Sequence, residues 1–352
     1  MAIKRVNQYF GFDCDLVIDV RSPGEYNHAH LPGSKNLPLF SDDERAVVGT
    51  LYKQHSKEDA IKAGLSFFGP KMQEMIHRVE TWIHEKYKLS PDEKCVAGQY
   101  TLLVHCWRGG MRSGGVAWLL DLYGFNVYVL DGGYKAFRNW VLAAFERPWP
   151  LHVLGGNTGT GKTKVLHELA RRGKPVIDLE GLACHKGSAF GNIGMPEQPS
   201  QEMFENLLAV ELHKREGQTI WIEDESIRIG HVNLPKNFWV LMGRSKHFLL
   251  DIPFAKRLEY TVEEYGKLPV EKMVNAIIRI KKRLGGLETK NAINALVEGQ
   301  TAESFEILLK YYDKWYGKAV DEKDLTENNK IRVYCEDTDA KKNADKLMAD
   351  II

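Results

Sequence analysis

The sequence predicts an α/β protein of two domains, each built on a mainly parallel sheet, with a helical region in its C-terminal half. Short apolar runs rich in β-branched residues alternate with segments of helical periodicity, a pattern typical of parallel sheets covered by helices. The chain has 352 residues, enough for two separate cores, and the proline-bearing stretch ERPWP (146–150) interrupts the alternation. We therefore expect one domain over residues 1–147 and a second over residues 148–352.

Composition excludes several classes of protein. Hydrophobic residues make up 43% of the chain and the formal net charge is +1, so a site for a polyanion would have to be local. Apolar runs fall short of the ~18 residues of a membrane span, which predicts a protein without membrane contact. The N-terminal sequence lacks the pattern of a secretory signal, so we expect a cytoplasmic location.

Five cysteines stand far apart in the sequence: Cys14, Cys95, Cys106, Cys184 and Cys335. An odd, scattered set in a chain of this size argues against a disulfide framework, and their spacing does not indicate structural zinc. We therefore expect no metal site built from these side chains, and a reduced thiol remains available for chemistry.

The first half reads as an α/β domain that carries a helical insert. The runs DLVIDV (15–20), TLLVHC (101–106) and NVYVL (126–130) predict buried strands. Residues 41–100 read mostly as helix, because apolar residues such as Met75, Val79 and Ile83 recur at helical spacing. The segment RSGGVAWLLDLYG (112–124) predicts a further helix that ends at Gly124.

Cys106 lies at the C-terminal end of a predicted strand, in the turn that opens a helix, where open α/β sheets bind ligands. Gly109 and Gly110 allow successive backbone N–H groups to turn inward, and the helix N-terminus adds partial positive charge. Arg108 and Arg112 add full charges. These features favour the thiolate and predict Cys106, Arg108 and Arg112 as catalytic residues. The alternative is a buried structural cysteine.

A second glycine-rich loop follows the strand LHVLGG (151–156) and opens a helix over residues 161–172. It fits the phosphate-binding pattern G-x-x-x-x-G-K-[ST] at every position: Gly156, Asn157, Thr158, Gly159, Thr160, Gly161, Lys162 and Thr163. Backbone N–H groups of such a loop point at phosphate oxygens, Lys162 adds a point charge, and Thr163 can hold Mg²⁺. The strand TIWIE (219–223) ends in the acids Glu223, Asp224 and Glu225, which predict either a metal-binding acid or an ordinary surface strand end.

Residues 253–318 predict a series of helices. Between Phe254 and Lys290, Lys and Arg outnumber Glu nine to five. The four clustered cations are Arg279, Lys281, Lys282 and Arg283. They predict either contacts with an RNA backbone or a solvated helix face.

Part of the first half resembles the opening motif of rhodanese domains. The matching residues lie in DVRSPGEYNHAHLPGSKNLP (19–38): Asp19, Arg21, Glu25, Tyr26, His30, Gly33, Asn36 and Pro38. The resemblance implies a rhodanese-like parallel sheet, a salt bridge between Asp19 and Arg21 under the active loop, and sulfur or selenium carried on Cys106. The spacing from Cys106 to Arg112 is also that of cysteine phosphatases, so the first half alone leaves a phosphatase open.

The whole chain resembles the bacterial tRNA 2-selenouridine synthases, which join a rhodanese domain to a P-loop domain. Besides the motifs above, the resemblance includes CWRGGMRSGG (106–115), LDGGYKAFR (130–138) and GSAFGNIGMPEQPSQEMFEN (187–206). The last segment carries no generic motif, and we mark it as adjacent to a site on the resemblance alone.

The resemblance implies a transferase that replaces the sulfur of wobble 2-thiouridine with selenium, through an S-geranylated intermediate, in tRNAs for lysine, glutamate and glutamine. Selenophosphate and geranyl diphosphate would be co-substrates, no tightly bound cofactor is expected, and a selenophosphate-producing enzyme is a candidate partner. Two alternatives remain open: a rhodanese-fold phosphatase or sulfurtransferase coupled to a P-loop ATPase or kinase-like domain, and a P-loop ATPase whose rhodanese half only mediates interactions.

Overall fold

The computed structural model describes residues 4–7, 10, 12–90, 93–322 and 329–349, with side chains of 316–322 left aside. It divides into two compact units, Met1–Ala143 and Ala144–Ile352. Each unit is built on its own five-stranded parallel sheet, which confirms the predicted fold class. None of the described helices is both long and apolar enough to cross a membrane.

The first unit has a sheet in the order β1-β5-β4-β2-β3, and every neighbouring pair is parallel. The strands are β1 (Lys4–Val6), β2 (Leu16–Asp19), β3 (Lys35–Asn36), β4 (Thr101–His105) and β5 (Asn126–Leu130). In the central register Ile18 pairs with Val104, and Val104 pairs with Val129. All three side chains are fully buried, which explains why these strands read as continuous apolar runs.

Six helices accompany this sheet: α1 (Pro23–His28), α2 (Asp42–Gln54), α3 (Lys57–Phe68), α4 (Met72–Tyr87), α5 (Met111–Tyr123) and α6 (Gly133–Ala144). The insert between β3 and β4 is helical as predicted. Its first helix begins with a capping box in which Ser41 and Glu44 satisfy each other's backbone N–H groups. Met75, Val79 and Ile83 of α4 join the same apolar core as the sheet residues.

The second unit has a sheet in the order β12-β11-β6-β8-β7, again with parallel neighbours. The strands are β6 (Leu151–Gly156), β7 (Val176–Ile177), β8 (Ile220–Glu223), β11 (Lys246–Asp251) and β12 (Lys330–Tyr334). A separate antiparallel hairpin, β9 (Arg228–Ile229) with β10 (Val232–Asn233), was not expected from the sequence. The apolar run PVIDL (175–179) forms only the two-residue strand β7, because the Asp178 side chain accepts a hydrogen bond from Gly181 N and caps the next helix.

The helices of the second unit are α7 (Lys162–Arg171), α8 (Leu179–Ala183), α9 (Gln201–Lys214), α10 (Lys236–Arg244), α11 (Phe254–Tyr265), α12 (Val270–Leu284), α13 (Gly286–Val297), α14 (Thr301–Glu322) and α15 (Ala340–Ala349). The predicted helical region is therefore formed by α11 to α14. These helices share an apolar cluster that includes Ile277 of α12 and Phe305 of α14. Phe190, from the segment without a generic motif, lies in the same cluster.

Candidate active site: a buried thiol and a phosphate-binding loop

Cys106 directly follows β4, and its side chain is only 3% exposed. The loop after it is held by main-chain hydrogen bonds from the next turn of the chain. Tyr134 N donates to Cys106 O and Lys135 N donates to Trp107 O, both at 2.9 Å. A Cβ at Gly133 would lie 2.3 Å from Cys106 O, so this close approach requires glycine. The thiol is thus positioned by two strand ends of the sheet.

The environment of Cys106 favours its ionised form. Burial raises the pKa of the Cys106 thiol, but hydrogen bonds from the Ser113 hydroxyl and from the Ser113 and Arg108 backbone N–H groups, with the charge of Arg112, hold that pKa below its ordinary value. Ser113 Oγ lies 3.3 Å from Cys106 Sγ. By contrast, burial raises the pKa of the thiols of Cys14 and Cys95. Cys106 therefore has the features of a nucleophile.

The two arginines of the loop act differently from each other. Arg112 is half-buried and contributes its charge, as expected from the sequence. The Arg108 side chain is exposed, and this residue acts on the thiol through its backbone N–H group. The sequence argument ascribed the effect of Arg108 to its guanidinium.

Arg112 is held by Glu25, a residue to which we had assigned no role from the sequence. Arg112 Nη1 donates to Glu25 Oε2 at 2.8 Å, and Arg45 Nε lies 3.0 Å from the same oxygen. Burial raises the pKa of the Glu25 carboxyl, but the hydrogen bond and charge of Arg112 outweigh it and lower that pKa. The position of Glu25 in the rhodanese-like motif was the only signal in the sequence that could have identified it.

The predicted ion pair under the active loop is present. Arg21 Nη2 donates to Asp19 Oδ2 at 2.6 Å, and both side chains are almost fully buried. The Arg21 guanidinium also lies 3.9 Å from the centre of the Tyr134 ring, whose backbone N–H group binds Cys106 O. The ion pair therefore supports the turn that positions the thiol.

The phosphate-binding loop joins β6 to α7 in the strand–loop–helix arrangement that the motif predicts. Gly156, Gly159 and Gly161 have φ values of 142°, 84° and 70°, which side chains rarely adopt. Gly161 caps α7 without a side-chain hydrogen bond, so the first N–H groups of this helix can bind an anion. Lys162 Nζ donates to Gly156 O at 2.8 Å and lies across the loop.

The acid that contacts the loop is Glu180 of α8, which the sequence argument missed. Thr163 Oγ1 donates to Glu180 Oε2 at 3.0 Å, and burial raises the pKa of the Glu180 carboxyl. Glu223 at the end of β8 is fully buried. Its Oε2 accepts a hydrogen bond from Leu179 N, and burial raises its pKa well above the ordinary value. Because Glu223 is fully buried and already binds a backbone N–H group, it suits a structural role better than that of a metal ligand.

The four clustered cations on α12 differ in the contacts that they make. Arg279 Nη2 donates to Ala189 O at 3.1 Å and to Asn192 Oδ1 at 3.2 Å. Arg283 lies 5.9 Å from the centre of the Trp315 ring. Lys281 and Lys282 are exposed. Two of the four therefore have intramolecular roles, and Lys281 and Lys282 remain the cations of this cluster best placed to meet a polyanion.

Comparison with known proteins identifies the two domains and their family. Residues 149–333 match the model of the tRNA 2-selenouridine synthase AAA domain, and residues 4–139 match the rhodanese-like domain. The chain is 35% identical to the tRNA 2-selenouridine synthase of Shewanella sediminis over 87% of its own length and 88% of that protein. It is 38% identical to the synthase of Nitrosomonas europaea over 71% and 63%, and 35% identical to that of Hydrogenovibrio crunogenus over 85% and 88%. With both domain matches in this order and relatives of this similarity, the chain belongs to the tRNA 2-selenouridine synthase family.

Proposed function

We propose that this chain converts the wobble 2-thiouridine of tRNAs for lysine, glutamate and glutamine into 2-selenouridine. The observation that carries the proposal is the position of Cys106, a buried thiol 3.3 Å from the Ser113 hydroxyl at the end of β4, in a chain of this family. Selenophosphate supplies the selenium and geranyl diphosphate activates the base. The first step belongs to a P-loop domain over residues 148–352, and the second to a rhodanese-like domain over residues 1–147.

The first step makes the sulfur of the base a leaving group. The thiocarbonyl sulfur attacks the allylic carbon of geranyl diphosphate, a carbon–sulfur bond forms, and the carbon–oxygen bond breaks to release diphosphate. The N–H groups at the start of α7 and the Lys162 ammonium stabilise the departing diphosphate. This use of the loop requires no hydrolysis of a nucleotide.

Magnesium fits this part of the site. The Thr163 hydroxyl and the Glu180 carboxylate are oxygen donors 3.0 Å apart, and Mg²⁺ binds one or two such groups together with substrate phosphates. The ion would neutralise charge on the diphosphate. Within the described residues, no group of three His, Cys, Asp or Glu side chains is gathered for a metal, so the phosphates must supply most of the ligands.

The second step uses the Cys106 thiolate as the nucleophile that releases selenium from selenophosphate. The donor is an anion of phosphate size, and Arg112 with the N–H groups of the loop suits its oxygens. The Cys106 thiolate attacks the phosphorus of selenophosphate, the phosphorus–selenium bond breaks, and hydroselenide is released while the phosphoryl group passes to Sγ. Hydroselenide attacks C2 of the geranylated base, its proton passes to N3, and the carbon–sulfur bond breaks with departure of geranylthiolate. Water then attacks the phosphoryl group on Sγ, which releases phosphate and restores the thiolate. Arg108, exposed at the mouth of this loop, is placed to meet the approaching anion.

We infer that tRNA meets the basic cluster of α12, where Lys281 and Lys282 are exposed and Arg279 and Arg283 lie beside them. A selenophosphate-producing enzyme is a partner to be expected, because the donor must be made by another activity. The reaction would take place in the cytoplasm, and it needs no tightly bound organic cofactor.

The test is to measure the two steps separately in tRNA that carries 2-thiouridine, by mass analysis of its nucleosides. Cys106→Ser should abolish selenation and leave geranylation partly intact, because the thiolate acts only after activation. Lys162→Ala should depress geranylation first, because it removes a charge from the diphosphate site. Cys335→Ala, at another buried cysteine, is the control and should leave both steps unchanged.

Loss of the same step in both variants would contradict the division of labour. Hydrolysis of an aryl phosphate that Cys106→Ser abolishes would instead indicate the phosphatase. ATP hydrolysis that is independent of Cys106, with no change in the tRNA, would indicate an ATPase with an interaction module.

A further inference from the structure

An apolar cleft lies beside the phosphate-binding loop in the second unit. Thr158 of the loop lines one end of it. Most of the remaining lining is aromatic and aliphatic, including Phe305 and Leu309 of α14 and Tyr265 of α11, and Ser188 and Thr261 add two hydroxyl groups. Phe305 and Leu309 are each 1% exposed, so the cleft is part of the interior of the helical region.

The cleft is tied to the loop by a buried arginine. Arg257 of α11 is 5% exposed, and its Nη1 donates to Thr158 O at 3.1 Å. The same guanidinium forms two hydrogen bonds with Asp313 of α14, of 2.8 and 2.7 Å. The contact of α11 with the loop is also close at Gly159, where a Cβ would lie 2.6 Å from Thr261 Oγ1. The phosphate-binding end and the apolar end therefore belong to one rigid arrangement.

A short segment closes the cleft; we call residues 187–194 the strap. Ala189 N donates to the Tyr312 hydroxyl at 3.2 Å, and Ser188 hydrogen-bonds with the Tyr265 hydroxyl. Arg279 binds Ala189 O from α12, and Phe190 packs into the cleft. The free volume left is about 10 Å³, close to that of one water molecule. A larger ligand enters only if the strap moves.

The strap has the backbone needed for such a movement. Gly187 and Gly194 at its ends have φ values of 60° and 77°, which only glycine adopts readily. The strap is joined to the helices by a few polar bonds and by two apolar side chains, Phe190 and Ile193, that pack into their cluster. It also belongs to the segment that the family resemblance had singled out without a physical reason.

We propose that the strap and the cleft bind the hydrocarbon chain of an allylic diphosphate whose head occupies the phosphate-binding loop. The inference rests on the proposed function and adds to it the site of the chain. A purely apolar tail is the occupant that this lining favours, because the polar edges of a nucleotide base would lose their partners there. The Tyr265 and Tyr312 hydroxyls are already engaged by the strap.

The hydrophobic effect sets the expected difference in affinity between these ligands. Each buried methylene adds to affinity, so a ten-carbon chain should bind much more tightly than the diphosphate head alone. We expect geranyl diphosphate to bind the full-length chain about 100-fold more tightly than inorganic diphosphate. Dimethylallyl diphosphate, with half the carbons, should fall between them.

The test is a calorimetric titration of the full chain with inorganic diphosphate, dimethylallyl diphosphate, geranyl diphosphate and ATP. Leu309→Phe fills the cleft and should weaken geranyl diphosphate at least tenfold while leaving inorganic diphosphate unchanged. Leu287→Phe, at a position of α13 that is 70% exposed, is the matched control and should change neither. Tyr312→Phe keeps the packing and removes the acceptor that holds the strap closed, so it should tighten the binding of geranyl diphosphate and leave that of inorganic diphosphate unchanged.

Amide hydrogen exchange distinguishes ligand binding by the strap from a purely structural role of the strap. Geranyl diphosphate should change amide exchange in residues 187–194, whereas inorganic diphosphate should not. If geranyl diphosphate and inorganic diphosphate bind with equal affinity and Lys162→Ala still abolishes binding, the cleft does not bind the hydrocarbon chain. The loop would then still bind the diphosphate. Tight binding of ATP alone would overturn the use of the loop by the prenyl donor as well.

Discussion

Substitution of Ser113 is the most direct way to change the reactivity of Cys106. Ser113→Ala removes the oxygen that lies 3.3 Å from Sγ and leaves the Ser113 and Arg108 backbone N–H groups in place. The thiolate then loses one of its donors, while burial continues to raise the pKa of the thiol. We therefore expect the pKa of Cys106 to rise in this variant.

The size of the change follows from the strength of the bond that is lost. A hydrogen bond to a charged group contributes about 1.5–3 kcal/mol, and 1.36 kcal/mol corresponds to one pKa unit. Sulfur is a weak acceptor and 3.3 Å is a long contact, so the lower end applies and the shift is about one unit. Below the pKa, the rate of alkylation at a given pH should fall about tenfold.

The assay is the pH dependence of iodoacetamide alkylation at Cys106, followed by peptide mass analysis. The midpoint should move to higher pH in Ser113→Ala, and the rate at high pH should remain that of the wild type. Ser34→Ala is the control, because Ser34 is also a buried serine of the first unit. An unchanged midpoint in Ser113→Ala, or an equal shift in Ser34→Ala, would refute the reasoning.

Two further predictions concern buried charges. Arg21→Met leaves Asp19 buried without its partner and should lower the free energy of unfolding by about 3–5 kcal/mol in urea titrations, whereas Arg5→Met, at an exposed pair with Asp131, should cost less than about 1 kcal/mol. Equal losses would contradict the structural role of the buried pair. Burial raises the pKa of the Glu223 carboxyl in the folded state, so the unfolded chain loses this proton at a lower pH than the folded chain does. The wild type therefore loses stability as the pH rises from the unfolded pKa towards the folded pKa. Glu223→Gln should therefore gain stability relative to the wild type in urea unfolding as the pH rises above the unfolded carboxyl pKa of about 4.3, and parallel pH profiles of the two proteins would argue against it.

Local patterns were sufficient to predict much of the fold. The run LHVLGG coincides with β6, and the phosphate-binding motif with the start of α7 (Lys162–Arg171), because both depend on residues adjacent in sequence. The ion pair of Asp19 and Arg21 was also predictable, since the two residues lie on one turn of a recognisable motif. The helical insert followed from the helical spacing of its apolar residues.

Contacts between distant parts of the chain were not predictable in this way. Glu25 and Arg112 are 87 positions apart, and Thr163 and Glu180 are 17 apart. Their pairing depends on how strands and helices assemble, which a single sequence does not display. The small β9–β10 hairpin was missed because its two-residue strands are too short to show alternation.

The main-chain anchoring of the thiol loop has a consequence for how such a site can diversify. The bonds from Tyr134 N and Lys135 N to Cys106 O and Trp107 O involve no side-chain atoms. Residues at 107, 108 and 135 can therefore be exchanged, in evolution or by design, without displacing the sulfur. The side chains around Cys106 can therefore change the substrate preference of this protein without changing the position of its nucleophile.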